Sequence, residues 1–234
     1  MKPIIGIIEW PYEDKDKDHI YEIMSPIVEW VIRSGGTPIG IFPTQIVEFY
    51  NTRLKDIKPM NETERKNLIE TLNLCSAIIK PGALKIYEHE RFIYQYTLEK
   101  NMPYLGICAG MQVMASYNKT LIENEKNIDE KHHSKEKYVH GVRILENTKL
   151  HDILKEDYIW VNSKHNNHIK DSGIQTISAI SNDNIIEAIE NPNCDFNIGV
   201  QWHPELLSKD DQNSVRIFES LIESAEKYQK RLIK

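Results

Sequence analysis

The chain has 234 residues, of which 40% are hydrophobic and 27% are charged, and its formal net charge is −6. This length is enough for one sizeable α/β domain and short for two, so we expect a single domain over residues 1–234. The acidic balance, without a basic and aromatic-rich stretch, gives no reason to expect nucleic acid or an anionic membrane as a partner.

The cysteine content and the N-terminal residues bear on the compartment. The chain has three widely scattered cysteines: Cys75, Cys108 and Cys194. An odd and scattered set argues against a disulfide framework and fits a reducing compartment. The apolar run at residues 4–8 is too short for a signal peptide or a membrane span, so we predict a cytoplasmic protein.

The first half of the chain alternates apolar runs with amphipathic segments. Residues 9–18 are charged and are expected to form a loop. Helical spacing predicts helices that end near Ile32, begin after Asn61 and span residues 87–100. The apolar runs predict buried strands at residues 3–8, 37–42, 76–79 and 103–107. This alternation predicts an α/β fold, with a mostly parallel sheet covered by helices on both faces.

The second half contains shorter apolar runs that are typical of antiparallel strands. They lie at residues 138–144, 158–161, 174–180 and 185–189. We expect them to add a small antiparallel β layer to the α/β core. A last strand at residues 197–202 and an amphipathic helix from Ser208 onward follow.

A dense charged run at residues 123–137 lies between the two halves. Such a composition favours a mobile surface loop, with a lid over an active site as the alternative. The pair His132-His133 belongs to this run, so we expect these histidines to be solvated and predict no metal site. No cofactor is predicted either.

Cys108 lies where an apolar run turns into a helical pattern, within Leu105-Gly-Ile-Cys-Ala-Gly-Met-Gln112. Gly106 and Gly110 flank it two residues on either side, which is the spacing of a nucleophile elbow with its tight bend. A helix N-terminus at this position stabilises a thiolate. The alternative is a buried structural cysteine, but the elbow favours a nucleophile.

A thiol nucleophile needs a base, and the stretch Gly199-Val-Gln-Trp-His-Pro-Glu205 offers one. In an extended segment His203 and Glu205 point to the same side, and Pro204 biases His203 away from helical geometry. Glu205 would orient the imidazole and balance its charge, as the third member of a triad does. Alone, the pair is equally a strand-end histidine with a surface glutamate. Beside the cysteine elbow, a Cys-His-Glu triad is favoured.

The motifs at residues 105–112 and 200–205 closely resemble those of the class I glutamine amidotransferase superfamily. Softer matches at residues 3–8, at Pro81-Gly82 and at Val161-Asn-Ser-Lys-His165 resemble its γ-glutamyl hydrolase branch, which includes γ-glutamyl-γ-aminobutyrate hydrolases. The resemblance implies a flavodoxin-like fold. It also implies covalent catalysis by the triad Cys108, His203 and Glu205.

The resemblance further implies groups that stabilise and bind the substrate. The backbone N–H groups of Ala83 and Ala109 would form the oxyanion hole. Gln112, one helical turn after the nucleophile, would bind the glutamyl head of the substrate. Ser163 and His165 would lie near the glutamyl carboxylate.

Three positions depart from the hydrolase pattern, and none removes a triad member. They are Ala109 in place of arginine, Asn166-Asn167 in place of a histidine–glutamine pair, and Ala115 in place of asparagine. These departures concern the identity of the substrate beyond its glutamyl group.

The predicted reaction is therefore hydrolysis of γ-glutamyl amide or peptide bonds through a γ-glutamyl thioester. A glutaminase subunit that delivers ammonia to a partner synthase uses the same triad and stays open as an alternative. A non-catalytic binding protein with this fold is a second alternative, against which the intact triad argues. We expect a small γ-glutamyl substrate, neither nucleic acid nor membrane as partner, and leave open a homodimer.

Overall fold

The computed structural model describes residues 1–45, 59–117, 122–124 and 132–232. The strands in these ranges are β1 (Ile4–Ile8), β2 (Trp10–Glu13), β3 (His19–Glu22), β4 (Thr37–Ile41), β5 (Ala77–Lys80), β6 (Tyr104–Ile107), β7 (Ile122–Asn124), β8 (His140–Ile144), β9 (Tyr158–Val161), β10 (Asn167–Ile169), β11 (Thr176–Ser181), β12 (Ile186–Glu190) and β13 (Asn197–Val200). The helices are α1 (Ser25–Arg33), α2 (Glu62–Leu72), α3 (Glu88–Lys100), α4 (Ala109–Ser116), α5 (Lys149–Leu154) and α6 (Gln212–Leu232), with a short 3-10 helix at Pro204–Leu206.

Nine strands form one mixed sheet in the order β4-β1-β5-β6-β13-β12-β11-β8-β9. The first five are parallel neighbours, and the last four continue the sheet with antiparallel pairs. β13 pairs with β6 so that Val200 lies opposite Ile107. Because the carboxyl ends of parallel strands meet at one edge, the residues that follow β6 and β13 are brought together there.

Helices cover both faces of this sheet, as the alternation predicts. Side chains of a strand alternate between faces. Along β5, Ala77 and Ile79 belong to an apolar cluster with Trp30 of α1 and Phe218 of α6. Ile78 belongs to a second cluster, with side chains of α2, α3 and α4. Both faces of the parallel part are therefore buried, and within the described ranges no helix is long and apolar enough to cross a bilayer.

The predicted fold class is confirmed. The parallel strands and the helices that flank them lie within a few residues of their predicted bounds. Asn61 forms a capping box with Glu64, as predicted, with hydrogen bonds of 2.9 and 2.8 Å. The apolar runs of the second half are antiparallel strands that extend the main sheet. Separate small antiparallel sheets are formed by β7 with β10 and by β2 with β3.

Two elements differ from the sequence prediction. The segment expected to be a loop after β1 is a hairpin of β2 and β3, since its turn is closed by the Asp14 carboxylate, which accepts from the N–H groups of Asp16 and Asp18 at 2.8 and 2.9 Å. Helix α5 was not predicted. It is capped by the Thr148 hydroxyl, which accepts from the N–H of His151 at 3.1 Å.

The charged run differs as well. Residues 125–131 lie outside the described residues, so the prediction of a mobile loop stays untested there. The start of the run belongs to β7, which pairs with β10. The expectation that His132 is solvated is wrong, because this side chain is only 2% exposed, whereas the neighbouring His133 is exposed.

Candidate active site

Cys108 lies at the sharp turn between β6 and α4, where the glycine spacing predicts it. It is the N-cap residue of α4 and has φ 52° and ψ −105°. A positive φ is strained for a residue with a side chain and persists only where the surroundings enforce it. The N–H of Cys108 donates to the carbonyl of Val200 at 2.7 Å, which ties the turn to β13.

The two flanking glycines are required by the packing of this turn. A β-carbon on Gly110 would lie 2.1 Å from the carbonyl oxygen of Lys80, and one on Gly106 would lie 2.6 Å from the carbonyl of Gly110. Both distances are far inside van der Waals contact, so a larger residue would displace backbone. The elbow is thus packed directly against the last residue of β5.

His203 lies three residues beyond β13 and is 7% exposed. Its Nδ1 is 2.6 Å from Oε1 of Glu205, and the imidazole also forms a hydrogen bond with Cys108. Burial by itself lowers the imidazole pKa, but the Glu205 carboxylate, assisted by the bond to Cys108, raises the pKa of His203 to about 10. The imidazole therefore holds a proton at neutral pH beside the sulfur.

The segment after His203 is not the extended chain on which the prediction rested. His203 has φ −110° and ψ 83°, a non-helical conformation as expected before proline, and the 3-10 helix Pro204–Leu206 follows. This turn brings the Glu205 carboxylate back to the imidazole. Trp30 of α1 supports it from below, since its indole N–H donates to the carbonyl of Glu205 at 3.3 Å.

Asn162 holds the main chain of His203 and was not singled out from the sequence. Its side-chain NH₂ donates to the carbonyl of His203 at 2.7 Å, and its side-chain oxygen accepts from the N–H of His203 at 2.8 Å. The residue is buried at the end of β9. The signal that could have found it is its place in the motif Val161-Asn-Ser-Lys-His165.

The turn after β5 packs against both catalytic candidates. A β-carbon on Gly82 would lie 2.7 Å from Cε1 of His203 and 3.5 Å from Cβ of Cys108. Ala83 has no positive φ, so alanine is compatible with a backbone donor at this position. Ala109 is the first residue of α4, where an N–H has no acceptor within the helix. The oxyanion role of these two N–H groups stays a prediction.

The three predicted substrate-binding side chains contact protein groups in this structure. The amide of Gln112 donates to the carbonyl of Asn167 at 3.1 Å and to Oε1 of Gln201 at 3.3 Å. The hydroxyl of Ser163 donates to the carbonyl of His132 at 2.7 Å. His165 is 2% exposed, and its Nε2 lies 3.2 Å from Nδ1 of His132. Their substrate roles stay predictions.

A buried charged cluster lies beside the turn after β5. Nζ of Lys80 is 2.7 Å from Oε1 of Glu90, and both side chains are fully buried. Burial raises the pKa of Glu9 to about 8, although Lys80 acts to lower it. Burial also lowers the pKa of His89, which lies 3.8 Å from Glu9, to about 3. One cation thus faces two carboxyl groups, of which Glu9 stays protonated at neutral pH.

Comparison with known proteins agrees with this geometry. The family model of peptidase C26 matches residues 3–205. A Schizosaccharomyces pombe protein that carries the name glutamine amidotransferase is 30% identical over 219 residues, which cover 88% of this chain and 83% of that protein. CTP synthase of Staphylococcus haemolyticus is 27% identical over 203 residues, which cover 73% of this chain and 38% of the synthase.

Solved structures show the same fold at lower identity. A Thermoplasma acidophilum protein whose name places it in GMP synthase has a TM-score of 0.67 at 15% identity, covering 100% of this chain and 99% of that chain. The glutaminase domain of Trypanosoma brucei CTP synthase has a TM-score of 0.62 at 16% identity, covering 96% and 94%. The elbow, the sheet order and the sequence match agree with one another, and the chain belongs to the peptidase C26 family, with the fold of class I glutamine amidotransferases.

Proposed function

We propose that the chain is a cysteine-dependent hydrolase of γ-glutamyl amide or peptide bonds. The observation that carries this proposal is the contact of His203 with both Cys108 and Glu205 in one buried site. Membership of peptidase C26 supports amide hydrolysis by a cysteine, and the γ-glutamyl specificity rests on the resemblance of the motifs.

The proposed reaction has two steps. The sulfur of Cys108 attacks the γ-carbonyl carbon, the C–N bond breaks, and His203 gives its proton to the leaving amine. Water then attacks the γ-glutamyl thioester while His203 accepts its proton, which releases glutamate and restores the thiol–imidazole pair. Glu205 keeps the ring oriented and balances its positive charge, while the N–H groups of Ala83 and Ala109 would stabilise the oxyanion in both steps.

The substrate would be held by its shared glutamyl head. Gln112 is placed one helical turn after Cys108, and its amide would exchange a protein contact for the glutamyl head. Ser163 and His165 would lie beyond it on the same wall. Loss of a group that binds only the head raises KM equally for all γ-glutamyl substrates.

The test is turnover by the purified chain alone, against glutamine and a panel of γ-glutamyl amines and peptides. We expect kcat in the ordinary range of about 1 to 10³ per second, with at least one substrate preferred to glutamine. Cys108→Ala should abolish turnover with an unchanged melting temperature, whereas the matched control Cys194→Ala should retain it. Wild-type turnover by Cys108→Ala would rule out the covalent mechanism.

A glutaminase subunit is the second candidate, favoured by the match to CTP synthases. The chain spans 38% of the length of the Staphylococcus haemolyticus synthase and 31% of that of Hydrogenobaculum. Such a subunit would release little ammonia until a synthase docks on it. A pure chain that is inert toward the whole panel, and that hydrolyses glutamine only when a synthase is added, would replace the first proposal with this one.

A further inference from the structure

Four buried side chains converge near the candidate active site and include a histidine that was expected to be solvated. They are His132 before β8, His140 at the start of β8, His165 between β9 and β10, and Glu187 of β12. One ligand atom from each lies within 4.8 Å of all the others. We propose that these four residues bind one divalent transition-metal ion, with Zn²⁺ as the ion that the donor set fits best.

The spacing of the ligand atoms fits a tetrahedral ion. Nδ1 of His132 lies 3.2 Å from Nε2 of His165 and 3.5 Å from Oε1 of Glu187. The same oxygen lies 3.6 Å from Nε2 of His140 and 3.6 Å from Nε2 of His165. Bonds of about 2.0–2.1 Å from zinc to nitrogen or oxygen place neighbouring ligands of a tetrahedron about 3.3–3.4 Å apart. Four edges of that tetrahedron are thus already close to their final length.

The cluster also contains polar atoms that an ion would satisfy. Both carboxylate oxygens of Glu187 and Nε2 of His140 are buried and have no hydrogen-bond partner among the described residues. The Glu187 side chain is completely buried. Uncompensated burial of a carboxylate is strongly unfavourable, so a bound cation explains why it is tolerated between three imidazoles.

The outer partner of His132 has the arrangement found around metal-bound histidines. Nε2 of His132 lies 2.8 Å from Oδ2 of Asp183, while Nδ1 faces the cluster. A ligating histidine usually donates its second ring N–H to a carboxylate, which fixes the tautomer and turns the lone pair of the other nitrogen toward the metal. The Asp183 carboxylate is itself fixed by a hydrogen bond from the Ser181 hydroxyl.

An ion can reach the cluster from the surface. A pocket is lined by His132, His140 and Asp183, with the exposed Trp160 and Asn182 at its border. The cluster is therefore buried but connected to solvent through its own ligands. Three imidazoles and one carboxylate suit Zn²⁺ better than Mg²⁺ or Ca²⁺, which prefer oxygen ligands.

The proposed ion would be structural, since four protein ligands leave no open position for a reacting water. It would join the segment before β8 to the wall of the site. The N–H of His165 and the hydroxyl of Ser163 both donate to the carbonyl of His132, at 2.9 and 2.7 Å. The adjacent Asn162 holds His203, so the ion would stabilise the position of the catalytic base indirectly.

The test measures metal binding and stability, neither of which depends on the γ-glutamyl reaction. The full chain is stripped with a chelator, dialysed against Zn²⁺ and analysed by mass spectrometry for bound metal, with thermal unfolding before and after. We expect one zinc per chain and a higher melting temperature with zinc. His140→Ala should lose the bound zinc, whereas the exposed neighbour His133→Ala is the matched control and should keep it.

A second variant covers the case in which His140→Ala does not fold. Asp183→Asn leaves all four ligands in place, and we expect it to weaken zinc affinity about 10- to 100-fold. Wild-type protein that binds no zinc and melts at the same temperature with and without it would overturn the proposal in favour of a metal-free histidine–carboxylate network. Zinc bound equally by His140→Ala, or with unchanged affinity by Asp183→Asn, would overturn it as well.

Discussion

The contact between Gly82 and His203 gives the sharpest test of the site geometry. A β-carbon on Gly82 would lie 2.7 Å from Cε1 of His203, whereas carbon atoms pack at about 3.5–4.0 Å. Either the imidazole or the turn must therefore move by about 1 Å. His203 cannot yield easily, because Glu205 holds its ring and Asn162 holds its backbone. A displacement of this size costs about 10²-fold in rate, which is the loss in kcat/KM that we expect for Gly82→Ala.

Steady-state kinetics on the best γ-glutamyl substrate and a thermal unfolding curve measure this prediction. The φ of Gly82 lies outside the left-handed region, so alanine introduces no backbone strain and the melting temperature should change little. Gly40→Ala on β4 is the matched control, since its β-carbon would meet only the flexible end of Ile23, at 3.1 Å. If Gly82→Ala were as active as Gly40→Ala, Gly82 would not contact a catalytic histidine and the proposed base would be wrong.

Two further predictions concern the triad and the buried charges. His203→Ala should reduce kcat more than Glu205→Gln, with the double variant no worse than His203→Ala; additive losses would show that the two residues do not act as one unit. The pKa of Glu9 is raised from 4.5 to about 8, so the folded chain retains a proton that the unfolded chain releases. This stabilisation is complete below pH 4.5 and is lost as the pH rises through 8. Glu9→Gln should therefore flatten the fall in melting temperature between about pH 5 and pH 9, and an unchanged slope would contradict the assignment.

The nucleophile and its base could be predicted because each is encoded by a short local pattern. Gly106 and Gly110 mark the bend around Cys108, and the proline after His203 sets the backbone of that histidine. Both residues follow predicted strands, and parallel strands deliver their carboxyl ends to one edge. What local spacing could not give was the turn after His203, where a 3-10 helix replaced the extended segment.

The supporting residues could not be predicted because their roles depend on strand order. The contact of Gly82 with His203 arises only because β5, β6 and β13 are neighbours in the sheet. The clamp by Asn162 requires the antiparallel half to fold back on the 3-10 helix. The burial of His132 was hidden by the charges around it in the sequence, since hydropathy averages over neighbours that face other directions.

β13 is the strand at which the two halves of the sheet meet, and this position explains how the site is divided. On its parallel side β6 carries Cys108, and β5 leads into the turn with Gly82. On its antiparallel side Gln201 donates through its N–H to the carbonyl of Glu187 at 2.7 Å, two residues before His203. The nucleophile and the predicted oxyanion donors thus belong to the parallel half, while the base is held by Asn162 from the antiparallel half. Changes in the antiparallel strands can therefore alter the alignment of His203 without disturbing the elbow, which makes the region around Glu187 the place where activity can be tuned independently of the nucleophile.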